Sequence, residues 1–213
     1  MKNINLNTMK IVTLITMTTV IIATSVTVAV GCQNGMFNFE NEETTLETEI
    51  VTEVEESLEE RYAAVFAWQT SASDFGTEQL YFLKEQCDKY EIPMEIMLSI
   101  ICTESSFRSY IVSKSNTGAA GYCQITTNAA EWVYESLLKY GKYDTNNHVN
   151  TMTTDWRLNI EMGCRIIYCW YWNSNESWES AVKRYYGSST DEYLNTVNNH
   201  MTELFGMTVA DFE

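Results

Sequence analysis

The segment Ile96–Cys102, IMLSIIC, carries no charge, and Glu104 follows it two residues later. Glu104 stands three residues after Ile101, four after Ile100 and seven after Met97. On a helix those offsets set its carboxyl on the apolar stripe, at the end of a buried element. A carboxyl removed from water resists ionisation, and its pKa rises. That is the condition for a general acid working near neutral pH. The competing reading of this feature alone is a helix-terminal glutamate turned to solvent.

Other residue types offer different chemistry. Besides Cys32 there are five cysteines, Cys87, Cys102, Cys123, Cys164 and Cys169, an odd number that cannot pair completely within the chain. A cysteine peptidase would use Cys123 or Cys102 as nucleophile with His148 as base, and needs a thiol beside a histidine or at a helix N-terminus. Cys102 falls instead inside the apolar run, where a thiol packs as a small hydrophobe. There is no C-x-x-C, and His148 and His200 are the only histidines, so no metal site is expected. Asp155 and Glu131 read as helix-capping residues rather than as a second catalytic acid.

These residues must be positioned by helices. All six tryptophans and all thirteen tyrosines follow residue 60, so the core is expected in residues 61–213. Thr77-Glu78-Gln79 predicts a helix start, with Leu80, Leu83, Cys87 and Tyr90 on one face. Pro93 suits a first helical turn ahead of Met94, Met97, Leu98 and Ile101. Asn128 with Glu131 predicts a capped helix through about Tyr140. Asp155 opens another, in which Ile160, Ile167 and Tyr171 share a face, and shorter helices are expected near 176–186 and 190–204. No alternating strand pattern of useful length competes, and no internal repeat is present.

Four stretches, in order, carry a family resemblance. They are Glu104-Ser105-Ser106-Phe107, then Ser115 through Ile125 (SNTGAAGYCQI), then Asp155 with Asn159-Ile160 and Gly163, and then Ala181 through Tyr185-Tyr186-Gly187, with Tyr193 and Val197 after them. Over about residues 75–200 the chain resembles the lytic transglycosylases with a goose-lysozyme-like catalytic domain. The resemblance implies a mainly α, lysozyme-like fold. It implies Glu104 as catalytic acid, Ser115 and Gln124 as polar positions lining the sugar groove, and Tyr185 as the tyrosine near the acid. Gly118 and Gly121 fit a loop passing close to a glycan. Tyr122-Cys123 stands where the family pattern has Leu-Met, and Tyr186 where it has asparagine. Those changes place Tyr122 among the groove residues and touch subsite preference.

The implied reaction cleaves the bond between N-acetylmuramic acid and N-acetylglucosamine, using one glutamate as acid and then base and leaving a 1,6-anhydro end. The usual glycosidase has two flanking carboxylates, and no second acid here has comparable context. A hydrolytic muramidase of the same fold is the alternative. Of another class is a non-catalytic glycan-binding or wall-assembly module, which would have no need of Glu104. No cofactor is expected.

The first sixty residues describe delivery. Lys2 and Lys10 precede an uncharged, largely apolar or β-branched run over 11–30, as in an export signal or a membrane anchor. The run ends Ala29-Val30-Gly31-Cys32, resembling a lipobox whose cysteine is lipidated; the alternative is an uncleaved transmembrane helix. Residues 1–32 therefore read as signal or anchor, and the expected location is outside the membrane that holds them. Residues 33–60 read as an acidic linker, because Glu40 to Glu60 hold ten glutamates and no base. Ile50, Val54 and Leu58 fall four apart, so part of it could be a solvated helix. The formal charge of −16 excludes a nucleic-acid binder, since nothing basic is in surplus to neutralise phosphates.

Overall fold

A computed structural model describes residues 56–187 and 191–213. Residues 1–32, Cys32 among them, and most of the acidic stretch lie outside those residues. The last residues of that stretch are helical: α1 (Leu58–Arg61) starts from a capping box in which Ser57 and Glu60 bond each other's backbone. A short helix α2 (Ala63–Trp68) follows.

The architecture is helical, and among the described residues extended pairing is limited to isolated bridges of Ala120 with Val112 and Ile125. α3 (Thr77–Tyr90) begins where Gln79 reaches back to the Gly76 N–H, and buries Leu80, Leu83, Cys87 and Tyr90, the face expected. α4 (Met94–Ser105) follows Pro93 and is the central element. Every residue from Ile96 to Cys102 is at most 1% exposed. A helix apolar all round belongs in a core. Its five large apolar side chains there contribute about 10 kcal/mol of gross transfer free energy.

Three further helices complete the domain: α7 (Trp156–Asn173), α8 (Trp178–Tyr185) and α9 (Asp191–Phe205). α9 packs along α4, while α7 lies between α3 and α8. α7 is capped as expected, the Asp155 carboxylate accepting from the Leu158 N–H at 3.0 Å. The region before it departs from expectation. Thr126, not Asn128, caps α5 (Thr127–Trp132), its hydroxyl accepting from Ala129 N–H. Glu131 is exposed and caps nothing. Three consecutive residues, Thr126, Thr127 and Asn128, offered rival polar caps, and Thr126 is the one that takes the position. The helix then widens into a π turn over Val133–Leu137 before α6 (His148–Thr154).

α4 ends abruptly. Ser106 and Phe107 both take left-handed backbone, with φ of 52° and 61°. For non-glycine residues that costs about 1–2 kcal/mol each. Phe107 is fully buried against Phe75 and Trp68, which returns about as much. The turn stops the helix at Ser105 and leaves Glu104 in the final turn.

Candidate active site

Glu104 lines a pocket of about 440 Å³ together with Ser113, Ser115, Thr117, Gln124, Tyr185 and Tyr186. Glu104 comes from α4, Tyr185 from the end of α8, and the polar wall from the loop 113–126. Burial pushes the Glu104 carboxyl up to about 7, partly opposed by the hydroxyl of Tyr193, which donates to Oε1 at 2.5 Å. Among the described residues Oε2 receives no hydrogen bond. Among those residues the side chain is thus held by one oxygen only.

Tyr193 was not singled out as a site residue from the sequence. It lies 89 residues from Glu104 along the chain, and only the packing of α9 on α4 joins them. The tyrosine expected beside the acid, Tyr185, lines the same pocket, but its hydroxyl donates to the Cys123 carbonyl at 3.0 Å. Tyr186 stacks on Tyr193, ring centroids 5.0 Å apart and planes 15° from parallel.

The loop owes its shape to α7. Asn159 is fully buried; it accepts from Cys123 N–H and donates to the Ala120 carbonyl, both at 2.9 Å. Those two bonds straddle Gly121, whose φ is +79°. A Cβ on Gly121 would collide with the Asn159 amide and the Met152 carbonyl oxygen. One turn along α7, Gly163 lets the helix pass Cys123, where a Cβ would meet Sγ at 2.5 Å. The Asn-Ile-x-x-Gly spacing is thus a clamp on the site loop. A polar residue on an apolar helix face, four before a glycine, was the available signal for it.

Gln124 itself has left-handed backbone, φ 45°, and donates from Nε2 to the carbonyls of Ile111 and Gly121 at 3.0 and 2.9 Å. Its amide oxygen, unbonded among the described residues, is the acceptor it can offer a ligand. Ser115 stands on the rim, its hydroxyl bonded to those of Ser113 and Thr117 at 2.9 and 2.7 Å. Tyr122 is a correction. It was expected at the groove and is 1% exposed in the core, packed on Phe75, its hydroxyl donating to the Asp74 carbonyl at 3.0 Å. The residue before Cys123 points away from the pocket, so its large ring fills the interior instead.

The thiol chemistry finds no support in the geometry. Cys123 and Cys102 are buried, and burial pushes both thiols up, Cys102 to about 12. A nucleophilic thiol needs the opposite shift. His148 is spoken for. Its Nε2 lies 3.0 Å from the carbonyls of Gly118 and Ile125, so it carries the proton and donates to them, while Nδ1 accepts from the Tyr143 hydroxyl at 2.7 Å. It ties the middle and the end of the site loop to α6. His148→Ala is expected to lower stability by about 2–4 kcal/mol, from a cavity and stranded carbonyls. His148→Gln, whose Nε2 can replace one donor, should recover part of the lost urea midpoint.

The pocket thus sets one buried carboxyl against a polar loop. A family model described as the transglycosylase SLT domain matches residues 81–200. The chain belongs to that family. No curated protein sequence matches the chain. It carries a lytic-transglycosylase-like catalytic domain, of the type that cleaves glycosidic bonds and takes peptidoglycan as substrate. The matched span takes in Glu104, the 113–126 loop, Asn159, Gly163 and Tyr193.

Proposed function

We propose that the protein is a peptidoglycan lytic transglycosylase in which Glu104 alone serves as acid and then as base. The observation that carries this is the solitary carboxyl. Among the described residues lining the pocket, Glu104 is the only acid, whereas hydrolysis by the two-carboxylate routes needs a second one close by.

With a pKa of about 7, Glu104 is about half protonated at neutral pH. In the acid form it gives its proton to the oxygen joining N-acetylmuramic acid to N-acetylglucosamine, and the C1–O bond breaks with acetamido assistance from the substrate. The carboxylate then takes the proton of the muramoyl 6-hydroxyl as that oxygen bonds to C1. No water is consumed, and the acid is regenerated. Tyr193 holds Oε1 through both steps. Gln124 and Ser115 offer polar contacts to the glycan, with Tyr185 closing the pocket wall.

The pH dependence follows in sign. Cleavage should fall as pH rises through about 7, where the acid form is lost. The Tyr193 hydroxyl favours the ionised carboxylate. Tyr193→Phe should therefore move that falling limb to higher pH, as read from kcat/KM profiles of the two proteins.

Delivery rests on the sequence of residues 1–60. In this proposal the domain works outside the membrane, held through lipidated Cys32 or an uncleaved span, with residues 33–60 as spacer. The test is digestion of purified peptidoglycan by the protein and by Glu104→Gln, with mass analysis of the muropeptides. Anhydro ends from the first alone support the proposal. Reducing ends would shift it to a muramidase, and binding without cutting by both proteins would leave only a glycan-binding module.

A further inference from the structure

A second cavity, of about 330 Å³, adjoins the Glu104 pocket. The two share Gln124, Thr126, Tyr185 and Tyr186 as a common wall. Beyond that wall the second cavity is lined by Trp132, Ile166, Trp170 and Arg184. Trp132 is 39% exposed, and its ring lies 6.4 Å from that of Trp170. The Arg184 guanidinium stands over Trp170 at 5.7 Å. Neighbouring Lys183 is paired with Asp191 at 2.6 Å. Arg184, exposed in the last turn of α8, has no carboxylate within ion-pair distance among the described residues.

We infer that this cavity receives the acidic stem peptide carried by the muramic acid, with Arg184 binding a peptide carboxylate and the tryptophans covering its apolar stem. The inference rests on the glycan-cleaving reading of Glu104. The bond cut leaves C1 of the muramic acid, so that sugar sits against Glu104. Its peptide branches from the same ring and must leave the pocket over an adjoining wall. The wall shared with the second cavity is such a route. Charge selects the occupant. Arg184 holds its guanidinium beside the Trp170 ring at the cavity wall with no ion-pair partner among the described residues. A guanidinium fork pairs with a carboxylate in charge-assisted hydrogen bonds. An uncharged sugar would use the aromatic faces but not the charge.

The test compares soluble glycan strands that carry acidic stem peptides with the same strands stripped by an amidase. Wild type should cleave the peptide-bearing strands with a kcat/KM at least about fivefold above the stripped ones, as one exposed charge-assisted contact allows. Arg184→Leu should abolish that preference through KM, Arg184→Glu should invert it, and Arg184→Lys should restore part of it. Equal loss on both strands would make the cavity a sugar subsite and overturn the inference. So would the absence of any preference in wild type. Strand affinities measured in Glu104→Gln, with and without Arg184→Leu, separate the two claims. Discrimination in binding without cleavage by wild type would sink the transglycosylase reading and leave the peptide site standing. Cleavage without discrimination would do the reverse.

Discussion

Glu104→Gln is expected to abolish glycan cleavage while making the protein more stable at neutral pH. The loss of activity follows from the role proposed. Glutamine keeps the shape and can still accept from Tyr193, but cannot deliver or collect a proton. General acid–base participation is worth about 10²–10⁴-fold, and both chemical steps would lose it together. The gain in stability follows from burial. The folded protein holds the Glu104 carboxyl at about 7, against 4.5 in an unfolded chain. Between those pH values the folded state keeps a proton that the unfolded state has released. Stability of the wild type therefore declines as pH rises across that window, by about 3 kcal/mol in all. Glutamine has no such dependence. The difference in Tm should be near zero at about pH 4 and reach about 6–10 °C by about pH 8. Thermal melts of the two proteins across that range measure it. A constant difference would mean that the carboxyl is solvated after all.

Gly121→Ala is expected to be the most damaging single-methyl change in the domain. Two penalties combine there. The left-handed backbone costs an L-residue about 1 kcal/mol. The added Cβ also meets the Met152 backbone and the Asn159 amide, neither of which can move without breaking the bonds that clamp the loop. Overpacking of this kind costs about 1–3 kcal/mol, so a total near 3 kcal/mol is expected. Gly206→Ala is the control, because Gly206 has φ +71° and nothing within 4 Å of an added Cβ. It should show the backbone cost alone. Urea denaturation of both variants separates the two contributions, and only Gly121→Ala should lose cleavage activity beyond its loss of folded protein. Equal destabilisation would mean that the Asn159 clamp yields at little cost.

The helices were legible in the sequence where periodicity and capping agreed. Leu80, Leu83, Cys87 and Tyr90 marked one face of α3, and Asp155 marked the start of α7, because each signal is local. Glu104 was legible for the same reason, since its offsets from Met97, Ile100 and Ile101 lie within two turns of one helix. The rest of the site depends on contacts between distant segments. Tyr193 reaches Glu104 only through the packing of α9 on α4. His148, first a candidate base, is instead a tie between Gly118 and Ile125. Tyr122 shows the limit of transferring a position from a pattern. Adjacent residues of a tight turn point in different directions, and only the fold decides which one faces the ligand. The cap at Thr126 was missed because several small polar residues competed, and local sequence does not rank them.

The central claim is that one carboxyl and the substrate's own hydroxyl cut the glycan without water. Digestion of peptidoglycan in heavy-oxygen water, followed by mass analysis of the new muramoyl ends, tests it most directly. A transglycosylase should leave every new end in the anhydro form with no label. One labelled oxygen in each new end, in the reducing form, would show that water is the nucleophile and would contradict the mechanism.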